Sequence, residues 1–114
     1  MGKKQKQPAP LPSPPSPRIY EASLGANGAV VKGQPITQAQ AEARRQSGED
    51  VLVGGGSIDA NRSLARTIEQ NANGAYKRCP PHAQAGPNAL PHFQPFPRPP
   101  AGHTFYETAH CKAR

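Results

Sequence analysis

Proline sets the first limit on this chain, by its absence as much as by its presence. Of 15 prolines in 114 residues, six lie within residues 1–20 and eight beyond Gly74, with Pro35 standing alone between them. Proline has no amide to donate and its ring collides with the preceding turn, so a helix interior excludes it. Regular helix is therefore confined to the middle of the chain, and both flanks are left to extended segments, turns and loops. Adding 11 glycines brings the composition close to low complexity. Hydrophobic residues make up 34% and mean hydropathy is −0.75, so any core is small. Such a fold gains from a bound partner or a neighbouring domain.

Residues 1–20, MGKKQKQPAPLPSPPSPRIY, offer almost nothing to bury. They read as a disordered, polyproline-like linker to something upstream, leaving residues 21–114 as one folded domain. Within it, Ala29 to Lys32 reads as a short extended piece. A helix follows, with Thr37 as its N-cap, Ala39 and Ala43 inside, Arg44 and Arg45 near its end and Gly48 beyond. Val51 to Val53 reads as a strand, GGGS as a turn, and the next stretch as a second helix. Ser57 or Asp59 caps that helix, Leu64, Ala65 and Ile68 line one face, and Asn73-Gly74 ends it. Strand, GGGS, helix invites a phosphate-binding reading. It lacks the GK[ST] of a Walker motif and a complete GxGxxG unit, so a tight turn is the better expectation. Further extended pieces fall at Ala89 to Phe93 and His103 to Glu107, separated by PFPRPPAG. The expected fold is a small α+β domain, two helices followed by a short, proline-rich antiparallel sheet.

Fourteen Lys and Arg against seven Asp and Glu give +7 and a pI near 9.9, a balance that favours polyanions. No apolar run approaches the length needed to cross a membrane, and the basic N-terminus lacks the apolar segment of a secretory signal. The two cysteines, Cys79 and Cys111, are expected to be free thiols.

All four histidines, His82, His92, His103 and His110, lie beyond Gly74. Imidazole titrates nearest neutrality, so two rings placed across a substrate can serve as base and acid. His92 and His103 flank a loop carrying Arg98, and an antiparallel pair would bring both rings to one mouth. Such a group suits metal-independent RNA cleavage, with a cation steadying charge at phosphorus. The candidate catalytic set is His92, His103, Arg98, Thr104 and Tyr106, the last two orienting the phosphate or stacking on a base. Lys77, Arg78 and His82 are the candidate substrate-binding residues. The sequence points to no cofactor. A zinc site from Cys79-x-x-His82 with His110 and Cys111 departs from standard spacing. A two-metal nuclease needs clustered carboxylates, whereas Glu42, Glu49, Asp50, Asp59 and Glu69 are scattered. No GxSxG nucleophile or deaminase pattern of H-x-E with P-C-x-x-C occurs.

At EDVLVGGGSIDANRSLARTIEQ and PHAQAGPNALPHFQPFPRPPAGHTFYE the chain resembles C-terminal toxin modules of bacterial polymorphic toxins. These modules stand behind PAAR or Rhs repeats in type VI secretion effectors. The resemblance covers about residues 40–112 and is most specific at LPHFQP…RPPAGHTFYE. It implies an antibacterial toxin secreted from its producer and delivered into the cytoplasm of a rival cell. It also implies an upstream delivery domain, and an acidic cognate immunity protein that neutralises the toxin in the producer. Many such modules are nucleases, and a ribonuclease acting on RNA is the expectation. A metal-dependent histidine DNase, a toxin of different chemistry such as ADP-ribosyl transfer or deamination, and a non-enzymatic basic binding module are the alternatives.

Overall fold

The structure, a computed structural model, describes residues 16–81 and 83–114. The expected N-terminal disorder and His82 therefore lie outside the described residues. The elements in chain order are β1 (Arg18–Leu24), a 3-10 turn (Ala26–Gly28), β2 (Val30–Pro35), α1 (Gln38–Gln46), β3 (Val51–Gly54) and α2 (Ile58–Asn73). Next come β4 (Tyr76–Cys79), a 3-10 segment (Ala83–Asn88), β5 (His92–Pro95) and β6 (Thr104–Tyr106). The fold is α+β, as expected. Its six strands form one mixed sheet in the order β2-β1-β3-β6-β5-β4.

The arrangement differs from expectation in two ways. Strands precede and separate the helices, with β1 beginning at Arg18 inside the stretch read as linker. The sheet is also not wholly antiparallel, because β3 and β6 run parallel while the other neighbours are antiparallel. Local chemistry explains several boundaries. Thr37 closes a capping box with Gln40, each side chain meeting the other's backbone N–H. The Ser57 hydroxyl accepts from Ala60 N–H and starts α2, and Gly74 ends it at φ +79. Asn27 and Gly28, both at positive φ, turn β1 back into β2.

Alternation along the strands sorts side chains onto two faces. Val51, Val53, Phe93 and Tyr106 meet Ala41, Ala65 and Ile68 of the helices. Leu52, Phe105, Leu90, Ala22 and Val30 form a second apolar cluster on the opposite face, against which Cys111 and Ala113 of the C-terminal segment pack. That segment is tied down by backbone bonds from Arg114 N–H to Val30 O and from Lys32 N–H to Arg114 O. Its Ala113 N–H donates to the buried Glu107 carboxylate. Both cysteines are free thiols.

GGGS folds as a tight turn. Asn61 Oδ1 accepts from Gly56 N–H at 3.0 Å, and its amide donates to Gly56 O and Glu107 O. The Glu107 carboxylate fills the space a Cβ on Gly54 would need. An acid in that position argues against a phosphate cradle.

Candidate active site

The parallel pairing of β3 with β6 aligns Val51 with Thr104 and Leu52 with Phe105. The residues one step earlier, Asp50 and His103, therefore stand side by side on the face of Leu52 and Phe105. Asp50 Oδ1 accepts from His103 N–H at 2.8 Å and lies 3.0 Å from His103 Nδ1. The carboxylate oxygen is placed to accept from Nδ1–H, and in that tautomer the lone pair of the ring lies on Nε2. Each side chain of this pair is 17% exposed.

Two adjacent arginines at the end of α1 hold the segments that carry this pair. Arg44 donates through Nε and Nη2 to Asp50 O, at 3.2 and 3.0 Å. Arg45 turns inward, donating from Nη1 to Glu49 O and Ala101 O and from Nε to Glu69 Oε1 at 2.8 Å. The Arg45–Glu69 pair is fully buried, and Glu69 also accepts from the Thr104 hydroxyl and the Asn73 amide. Gly102 lies so close to Arg45 Nη1 and Gly48 O that a Cβ there has no room, and its φ of +89 favours glycine. Both flanks of His103 are thus clamped by an ion pair in the core.

His92 enters from β5, whose antiparallel register sets it opposite Phe105. Its ring meets that of His103 edge to face, with centroids 4.6 Å apart and planes 79° apart. Phe105 completes a triangle, 5.2 Å from His92 and 5.0 Å from His103. His92 is only 3% exposed, with Nδ1 3.5 Å from Leu90 O. The same register carried one pair further sets Gln94 opposite His103, and Gln94 Oε1 accepts from Arg98. Arg98 also donates to Gly102 O. Lys77 faces Gln94 across β4 and β5, so its exposed chain adds a cation to the same face.

The expected pair is therefore brought together, with Arg98 and Lys77 around it. Thr104 and Tyr106 are corrections. In a strand, neighbours of an outward residue point the other way, so both lie on the helix side of β6. The Thr104 hydroxyl is spent on Glu69, and Tyr106 stacks on Phe93 with centroids 5.5 Å apart. Neither can orient a phosphate over the histidines. Arg78 is also on the helix side, being the register partner of Phe93. His82 lies outside the described residues. Sequence reasoning missed Asp50, Gln94 and Phe105. A carboxylate immediately before the most apolar strand was the one available sign of Asp50.

Among the described residues no three His, Cys, Asp or Glu side chains gather as a metal site. Nor, among them, is any helix long and apolar enough to cross a membrane. Comparison with known proteins finds no matching family model, no matching curated protein and no matching solved structure.

Proposed function

We propose that this chain is a ribonuclease toxin module that cleaves RNA by histidine general acid–base chemistry without a metal. The observation that carries this reading is the contact of the His92 and His103 rings on one sheet face, with Asp50 bound to His103. With Nδ1 protonated toward Asp50, His103 Nε2 is the base that removes the proton from a ribose 2′-OH. The 2′-oxygen attacks the adjacent phosphorus and the P–O5′ bond breaks. His92, in its protonated form, returns a proton to the departing 5′-oxygen. The products are a 2′,3′-cyclic phosphate and a 5′-hydroxyl. Arg98 and Lys77 supply positive charge toward the phosphorane.

The basic balance of the chain also fits an acidic immunity protein that covers the same face in the producing cell. An upstream delivery domain of PAAR or Rhs type, and action in the cytoplasm of a rival cell, complete the reading that the sequence resemblance supports.

The test is direct. The purified chain, incubated with RNA in EDTA, is expected to generate cyclic-phosphate ends. His103→Ala is expected to lower the rate about 10²–10⁴-fold. Cleavage only on addition of Mg²⁺ or Zn²⁺, or a fully active His92→Ala, His103→Ala double variant, would refute the mechanism.

A further inference from the structure

On the helix side of the sheet a cavity of 380 Å³ is lined by Arg62, Arg78, Cys79, Pro80, Pro91 and Tyr106. We infer that this cavity is a second subsite for the RNA strand, taking a nucleotide upstream or downstream of the one that is cut. The inference rests on the ribonuclease reading for its ligand, although the site itself is independent of the histidines.

The size falls within the roughly 300–1,000 Å³ of small-ligand sites. Its chemistry is that of a nucleotide. Two guanidinium groups stand at it, one from α2 and one from β4, and guanidinium binds phosphate through paired N–H donors. Arg62 is held by Asp59 one turn earlier. Arg78 is exposed, and among the described residues it has no ion-pair partner. Two prolines give apolar walls, and Tyr106, almost wholly buried and stacked on Phe93, closes the floor.

The two sites also connect. Tyr106 N–H donates to Pro91 O, which sets the cavity one residue pair beyond His92 and Phe105 in the same ladder. The outermost strand on this side, β4, sends Arg78 to the cavity and Lys77 to the histidine face. A phosphodiester backbone passing round β4 meets cations on both sides. A strand of several nucleotides can therefore fill both sites, whereas a dinucleotide reaches only the cut.

The test is binding of a fluorophore-labelled single-stranded oligouridylate to the full chain carrying His103→Ala, followed by anisotropy across a salt series. Adding R62Q and R78Q is expected to weaken binding about tenfold, and to flatten the slope of log affinity against log salt by about 1.4, twice the value per phosphate for single strands. Arg62→Lys with Arg78→Lys is expected to keep most of the slope, because charge is retained. Urea unfolding with an unchanged midpoint confirms that the glutamine variants are folded. Unchanged affinity and slope in those variants would overturn the subsite, as would absence of oligouridylate binding. Arginine-dependent binding in a chain that cuts no RNA would leave the subsite standing and remove the catalytic reading alone. Cleavage of RNA with arginine-independent binding would do the reverse.

Discussion

At the scale of single residues, the proposed chemistry turns on one carboxylate. Asp50 fixes both the backbone N–H and the ring of His103, so it sets the tautomer as well as the direction of the imidazole. Asp50→Asn preserves size and one acceptor but lets the amide present a donor to Nδ1, which favours the wrong tautomer. The expected outcome is a fall in kcat on the order of a hundredfold or more with little change in KM. A shift in the pH profile that Glu49→Gln does not reproduce would separate positioning from a general loss of charge. An Asp50→Asn variant with unchanged kcat would show that the ring needs no such partner. Of these residues the sequence displayed only part. Two histidines flanking an arginine loop were legible because hairpin geometry is local. Asp50 was not, because its partner is 53 positions away and the link runs through a parallel pairing that no short pattern announces.

At the scale of elements, α1 is tied to the loop before β6 by Arg45. As a sequence feature, Arg44-Arg45 reads as cations favouring a helix C-terminus. In the fold each arginine instead holds a chain segment, and Arg45 is fully buried beside Glu69. Removing one partner leaves a charge buried without its counterpart, so Arg45→Met is expected to cost about 3–5 kcal/mol by urea unfolding. Replacing both, Arg45→Met with Glu69→Leu, is expected to recover part of that loss. Equal midpoints for Arg45→Met and the parent would sink this account. Gly102→Ala is expected to destabilise by about 1–3 kcal/mol, because an L side chain strains the backbone there and meets Arg45. Helix starts were readable because caps are local, as at Thr37 and Ser57. The first strand was not read, although Asn27-Gly28 is a hairpin signal that implies a strand on each side. Proline density just before it drew the boundary too far along.

For the molecule as a whole, the proline partition proved a sound guide to class and a poor one to topology. It confined helix to the middle of the chain, where α1 and α2 lie. It carried no information on which strands would pair, since non-local pairing depends on burial across the whole sheet. The second apolar cluster depends on the last few residues for cover. A chain ending after His110 is expected to unfold at lower urea and to bind an apolar dye, because Leu52 and Phe105 lose the packing of Cys111 and Ala113. Unchanged dye binding would argue that the tail is dispensable. The parallel join of β3 to β6 bears on timing as well. A polypeptide drawn out in line holds Asp50 and His103 far apart, and the two become neighbours only when the final strand docks beside the third. On the proposed toxin reading, a chain threaded in extended form through a narrow conduit would be chemically silent until that docking.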